Sequence, residues 1–316
     1  MEKIGIIGQG FVGTAVKEKF REKCIVYTYD KFEPSKSAIY KKSEDFVSPK
    51  NDISTLVKEC DIIFICVPTP MFEDGECDIS IVESVILELS SNCNSLDREV
   101  VAVLKSTVPP GTTSNLNAIS DRVNVVFSPE FLTEANSIND FKNQTRIVIG
   151  TDDYENINGV GSIFRDVFPT ADILIISTKE AEMVKYTTNL FLATKVSFFN
   201  DIYSICERLE INYDAVIQAT MYDSRIGKSH YKVPGPDGDR GFGGHCFPKD
   251  ISAIIYVAEK LGMSVPTIMG AYVTNQIVRE NRDWEQMEGR AVSHREKEID
   301  QINFQEVEAD EKESNN

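Results

Sequence analysis

The chain has little histidine, and its cysteines do not follow a disulfide pattern. Among 316 residues there are three histidines and one tryptophan. So few histidines exclude a His-rich metal centre, and no metal is expected. The seven cysteines stand at 24, 60, 66, 77, 93, 206 and 246; the number is odd and no two have Cys-x-x-Cys spacing. That excludes a disulfide framework and a zinc site, and points to reduced, mostly buried thiols in a cytoplasmic protein. No apolar run approaches the ~20 residues needed to cross a bilayer. The start, Met1-Glu2-Lys3-Ile4-Gly5-Ile6-Ile7-Gly8, reaches glycines too soon for a signal peptide. A basic surplus is also missing, since the formal net charge is −17. Such a surface repels nucleic acid and anionic membrane, so neither is expected as a partner.

What is present suits two domains with cores of their own. Runs at 3–7, 25–29, 61–67, 100–105, 123–127 and 145–150 read as strands. They are nearly continuously apolar, as strands buried on both faces of a parallel sheet should be. Helical patterns lie between several of them. The fold class expected is therefore α/β: a Rossmann-like, doubly wound parallel sheet over residues 1–178, then a mostly α-helical domain over 179–284. From Lys179 to about Glu210 there is no Gly or Pro, which predicts one long helix or two abutting ones. A Gly/Pro-rich loop spans Gly227 to Pro248. Helical pattern resumes from about Asp250 to Gly262 and from Pro266 to about Arg282. Residues 285–316 read as a charged, disordered tail, too poor in apolar groups to offset their ordering entropy. No internal repeat is found.

Gly8-Gln9-Gly10-Phe11-Val12-Gly13 matches G-x-G-x-x-G. It follows the first strand directly and opens a helix. The second strand ends on Asp30, near the spacing expected for a ribose-binding acid. Such glycines let backbone approach a pyrophosphate at a helix N-terminus. Asp30 would accept from ribose hydroxyls and repel a 2′-phosphate, which favours NAD over NADP; FAD is a smaller alternative. Val67-Pro68-Thr69-Pro70 and Lys105-Ser106-Thr107-Val108-Pro109-Pro110-Gly111 follow two other strands, at the edge where open α/β sheets bind ligands. Thr69 and Thr107 offer hydroxyls to a cofactor or a water, or serve as caps.

Gly241-Phe242-Gly243-Gly244-His245-Cys246-Phe247-Pro248-Lys249-Asp250 is the most unusual stretch. Cys246 falls where loop becomes helix, a place that lowers a thiol pKa. A thiolate there suits attack on an aldehyde. Lys185 and Asn189 share one face of the long helix and suit an oxyanion or a water; from spacing alone Lys195 and Asn200 are rivals. Ser128-Pro129-Glu130-Phe131-Leu132-Thr133-Glu134 brings two carboxylates to the same edge, one as a candidate general base or each as a helix cap. His230, Lys232 and Arg240 are candidates for phosphate contact, or plain loop charges.

With these motifs in view, the chain resembles the nucleotide-sugar dehydrogenases of the UDP-glucose/GDP-mannose dehydrogenase family, most closely the UDP-glucose 6-dehydrogenases within it. The resemblance runs from Lys3 to about Asn281 and includes Pro129-Glu130-Phe131-Leu132 and Ser224-Arg225-Ile226-Gly227. It implies a four-electron oxidation of a sugar CH2OH to a carboxylate with two NAD reduced, UDP-glucose to UDP-glucuronate, through a thiohemiacetal and a thioester on Cys246. GDP-mannose or a UDP-N-acetylhexosamine is the alternative substrate, and an inactive NAD-binding subunit the alternative protein. By position the resemblance assigns Lys185, Asn189, Asp250, Glu130 and Thr107 to catalysis. It assigns Gly8, Gly10, Phe11, Val12, Gly13, Asp30, Val67, Pro68, Thr69, Thr107, Glu134 and Lys249 to the cofactor. To the substrate it assigns Glu130, Phe131, Leu132, Glu134, Lys185, Asn189, Arg225, Tyr231, Phe242, Gly243 and Cys246. It favours Lys185 over Lys195 and Glu130 as the hydrolytic base. It further implies a homodimer paired through the long helix, with Arg225 able to reach a neighbouring subunit's substrate. Members usually continue into a second Rossmann-like domain over the nucleotide; no third αβ pattern is found here, so a short form is expected.

Overall fold

The computed structural model describes residues 1–41, 44–46, 52–154 and 157–295. Strand β1 (Lys3–Ile7) leads into α1 (Phe11–Phe20) and β2 (Ile25–Tyr29). Next come β3 (Ile39–Lys41), β4 (Glu44–Phe46), α2 (Ile53–Glu59), β5 (Ile62–Ile65), α3 (Ser80–Leu96), β6 (Val100–Leu104), α4 (Thr112–Asn117) and β7 (Val123–Phe127). The unit closes with α5 (Ser137–Lys142), β8 (Arg146–Gly150), α6 (Asn158–Val167) and β9 (Asp172–Ile176).

Among the described residues these strands form one sheet, in the order β4-β3-β2-β1-β5-β6-β7-β8-β9. The centre is parallel, as the apolar runs require. Alternate residues face opposite layers. Ile63 and Ile65 pack with Leu56 of α2 and Leu89 of α3. Ile62 and Phe64 pack with Phe20 of α1 and Phe164 of α6. An all-parallel reading needs correction at both edges, because β2–β3, β3–β4 and β7–β8 are antiparallel. The sequence reading passed over β3, β4 and β9. The first two have three residues each, too short for a periodic signal, and β9 is largely exposed at the sheet edge.

Residues Thr178–Arg208 form a single unbroken helix, α7. A capping box starts it: the Ser177 hydroxyl and the Glu180 carboxylate each meet the other's backbone N–H. The helices α8 (Tyr213–Thr220), α9 (Phe247–Lys260) and α10 (Pro266–Val278) follow. Tyr186 and Leu190 of α7, Ile251 and Ile254 of α9 and Ala271 of α10 make the core of this layer. Residues 285–295 are ordered, in contrast to the disordered stretch expected there. As far as Arg295 the chain is folded back: Trp284 and Ala291 are buried, Met71 N–H donates to the Ala291 carbonyl (2.8 Å), and Ser293 N–H donates to the Met71 carbonyl (2.8 Å). Backbone pairing with the loop after β5 is thus what orders a polar stretch. Residues 296–316 lie outside the described part.

Candidate active site

Two loops that leave neighbouring strands meet α7 and the start of α9. The glycine loop lies on one side of this meeting point. Gly8 has φ +88°, and a Cβ there would lie 2.5 Å from the Cys66 carbonyl oxygen. A Cβ on Gly13 would strike the Gly8 carbonyl. A Cβ on Gly10 would meet nothing within 4 Å. So Gly8 and Gly13 let the loop fold tightly, while Gly10 fronts open space at the N-cap of α1, where a pyrophosphate fits. The Asp30 carboxylate accepts from the N–H groups of Gln9 (2.7 Å), Phe32 (3.0 Å) and Glu33 (2.8 Å), which fixes it at the end of β2. Phe11 meets the His245 ring edge-on at 5.2 Å. This brings the cofactor loop against the cysteine loop. Val67 accepts from the Ser106 hydroxyl (2.6 Å), and Thr69 donates its hydroxyl to the Thr107 carbonyl (2.7 Å). These bonds tie together the loops after β5 and β6.

On the other side is a buried charge cluster. Lys185 Nζ donates to the Glu130 carbonyl (2.7 Å) and to Glu130 Oε1 (2.8 Å). The other oxygen, Oε2, accepts from Leu132 N–H (2.6 Å). One turn along α7, Asn189 Nδ2 donates to Asp250 Oδ2 (2.6 Å). Lys249 Nζ holds Asp250 Oδ1 (2.6 Å). Burial alone would raise the Glu130 pKa, but the Lys185 charge and hydrogen bond hold it below the usual carboxylate range. Burial would likewise lower Lys185 and Lys249; Glu130 and Asp250 respectively outweigh it and raise both. The Phe131 ring lies between the Arg146 guanidinium at 4.3 Å and the Lys185 ammonium at 5.8 Å.

Cys246 occupies the N-cap of α9, as its position predicts. The predicted acidity does not follow. Burial pushes its thiol up to about 12, against the lowering pull of Lys185 and Lys249. Desolvation of the sulfur outweighs the helix terminus and both ammonium groups. The Cys246 thiol is thus held well above the ordinary cysteine range.

Other assigned residues have partners of their own. Arg225 is exposed and paired with Asp223. Phe242 is buried in the core of the helical layer, its ring 5.9 Å from Phe247. The Tyr231 carbonyl accepts from the Tyr213 hydroxyl (2.6 Å). Lys249 is committed to Asp250 within the charge cluster. Glu134 is half-exposed, bonded to Arg290 (2.7 Å) and 3.4 Å from His245 Nδ1. Of the rivals, Lys195 clasps the Ile226 and Gly227 carbonyls (2.9 and 3.0 Å), and Asn200 Oδ1 accepts from Gly241 N–H (3.2 Å). Arg240 lies against α7, donating to the Ser204 hydroxyl (2.5 Å), while Lys232 is exposed. Burial holds the His230 imidazole below its usual range.

The residues that shape the cysteine loop escaped the sequence reading. Asn275 bonds both the N–H (2.8 Å) and the carbonyl (3.0 Å) of Phe242. Both Asp283 oxygens accept from Gly244 N–H at 3.1 Å. Buried Arg279 joins Asp237 (2.6 Å), Asp239 (3.3 Å) and Asp283 (3.3 Å), and a side chain on Gly243 would collide with it. The available signal was polar residues four apart, Asn275, Arg279 and Asp283, along and just beyond a mainly apolar helix. Lys105 is buried too, with Nζ on the Pro129 carbonyl (3.0 Å) and the Ser128 hydroxyl (3.4 Å).

Comparison with known proteins places this arrangement. The NAD binding domain of the UDP-glucose/GDP-mannose dehydrogenase family matches residues 22–168, and the central domain of that family matches residues 179–277. The chain belongs to the UDP-glucose/GDP-mannose dehydrogenase family. A UDP-glucose dehydrogenase structure from Pyrobaculum islandicum superposes with a TM-score of 0.77 at 30% identity, covering 88% of this chain and 68% of that one. A GDP-mannose dehydrogenase structure from Pseudomonas aeruginosa gives 0.61 at 25% identity, covering 87% and 68%. UDP-glucose 6-dehydrogenase TuaD of Bacillus subtilis is 33% identical over 303 residues, 87% of this chain and 63% of that relative. The chain therefore spans under two thirds of that relative's length. Among the described residues, no helix is long and apolar enough to cross a membrane.

Proposed function

We propose that the chain oxidises the CH2OH of a nucleotide sugar to a carboxylate, UDP-glucose being the first substrate to test. The observation that carries this reading is the buried cluster of Lys185, Glu130, Asn189, Lys249 and Asp250, whose charges act on the partly buried Cys246 thiol, beside a dinucleotide loop. NAD, when bound, accepts a hydride in each of the two oxidations. The protein's residues do the rest. Asp250 takes the hydroxyl proton in the first oxidation, with Asn189 and Lys249 fixing both its oxygens. The Cys246 sulfur then bonds the aldehyde carbon, and its proton moves to the carbonyl oxygen. Lys185 has three N–H groups, of which two bond Glu130, leaving one for that oxygen. Loss of the second hydride and the hydroxyl proton leaves a thioester. Water then bonds the acyl carbon, Glu130 accepts the proton, and the C–S bond breaks to return the thiolate. The covalent sulfur keeps the aldehyde from escaping between oxidations.

The protein is proposed to act as a homodimer. Phe191, Phe198 and Ile205 recur every seven residues on α7 and are 66%, 55% and 54% exposed. Pairing there would bury them, and Arg225 would serve the partner's substrate. Sedimentation as a monomer at micromolar concentration would contradict this.

The decisive experiment follows NADH formation with a panel of nucleotide sugars. Two NADH per sugar oxidised, with turnover lost in Cys246→Ala, supports the proposal. Clear NAD binding without turnover on any nucleotide sugar would instead indicate a non-catalytic subunit.

A further inference from the structure

Lys105 is a buried cation of this neighbourhood that the mechanism above leaves unused. It follows β6 and is only 3% exposed. Its ammonium reaches across the end of β7 to the Pro129 carbonyl (3.0 Å) and the Ser128 hydroxyl (3.4 Å), with the Phe141 ring centroid at 5.6 Å. Two consecutive carbonyls are thus each held by a different ammonium. Lys105 takes that of Pro129 from the β6 side, and Lys185 takes that of Glu130 from α7. With Leu132 N–H on Oε2, the Glu130 peptide and carboxylate are both fixed.

Burying an ammonium costs several kcal/mol unless it is well paired. The hydrogen-bond partners of Lys105 are neutral, and a neutral side chain could satisfy them. The charge therefore calls for another explanation, and the neighbourhood supplies one. Lys105, Lys185 and Lys249 are set against Glu130 and Asp250, so the cluster holds more positive than negative charge while Cys246 is a thiol. A thiolate leaving group or a substrate oxyanion restores the balance. The groups that face Lys105 are Cys66, Glu130 and Lys185.

We propose that Lys105 is a positioning residue for thioester hydrolysis, holding the Ser128–Pro129 segment that aims Glu130 at the acyl carbon. This rests on the roles given above to Glu130 and Cys246.

The test compares Lys105→Met, Lys105→Gln and Glu130→Gln with wild type, using UDP-glucose and NAD in a stopped-flow instrument. Intact mass then reads the acyl group on Cys246. In Lys105→Met the NADH burst keeps its rate, steady turnover falls roughly 10–100-fold, and acyl-enzyme accumulates. Lys105→Gln recovers part of the loss, because its amide can still donate to the Pro129 carbonyl. If Lys105→Met does not fold, Lys105→Gln carries the same comparison. Burst and steady rate falling in equal proportion, or no fall in either, would overturn the role of Lys105. Acyl-enzyme in Glu130→Gln but in neither Lys105 variant overturns it alone. Its absence from Glu130→Gln overturns Glu130 as the base.

Discussion

Lys185 holds Glu130 twice, by its carboxylate at 2.8 Å and by its main-chain carbonyl at 2.7 Å. The contact joins α7 to the loop after β7, and both partners are buried. Severing such a pair leaves a charge unpartnered. Lys185→Met should therefore lower the unfolding free energy by about 3–5 kcal/mol, read from urea denaturation. A loss below about 1 kcal/mol would mean the pair behaves like a surface bridge.

The same pair predicts a response to acid. The folded pKa of Glu130 is depressed, so its contribution is present above the unfolded value of about 4.3 and is lost as pH falls through the folded value. The stability gap between wild type and Glu130→Gln should narrow below about pH 4. A gap unchanged down to the acid transition would count against the depressed carboxyl.

Cys246 should be slow to alkylate in the unliganded protein. A thiol near 12 exposes far less thiolate at neutral pH than an ordinary cysteine. Peptide-resolved mass spectrometry should find iodoacetamide labelling slower than for free cysteine by on the order of 100-fold, rising with pH. Lys185→Met should slow it further, since that ammonium is the largest force lowering the thiol pKa. Labelling as fast as free cysteine would contradict the desolvated sulfur.

Two glycines of one loop should respond differently. Gly10→Ala has room for its methyl, so melting should hardly move while NAD affinity in calorimetry falls. Gly13→Ala must push α1 away from the Gly8 carbonyl and should lower stability by about 1–3 kcal/mol. Equal melting losses in both would refute the open space beside Gly10.

Asp283 separates positioning from charge. Asp283→Asn keeps an acceptor for Gly244 N–H, whereas Asp283→Ala leaves that donor unpaired at a cost of about 1–3 kcal/mol. Turnover should survive better in the Asn variant at unchanged NAD affinity. Identical kinetics in the two variants would exclude a positioning role.

Much of this is legible in the amino-acid sequence. Unbroken apolar runs gave the parallel centre of the sheet, and an uninterrupted helical stretch gave α7. The motifs gathered Cys246, Lys185, Asn189, Asp250 and Glu130, which the fold brings together. Features that depend on local desolvation or on contacts distant in sequence were not legible. The Cys246 thiol is governed by burial that no spacing reveals. Asn275, Arg279 and Asp283 read as ordinary polar helix residues until the fold sets them against a loop some forty residues earlier.

Along α7, Glu182 holds the Gly111 and Thr113 N–H groups, Lys185 holds Glu130, Asn189 holds Asp250, and Lys195 holds Ile226 and Gly227. At ~1.5 Å per residue, the first and last of these stand about 20 Å apart on one rigid rod. The spacing between the sheet loops and the cysteine loop is thus set by a count of residues. One residue inserted between Lys185 and Asn189 would turn everything beyond it by about 100° and advance it by ~1.5 Å. Glu130 would keep its ammonium while Asp250 lost the Asn189 amide. This helix can vary in sequence, but its length is a gauge to which both halves of the site are cut.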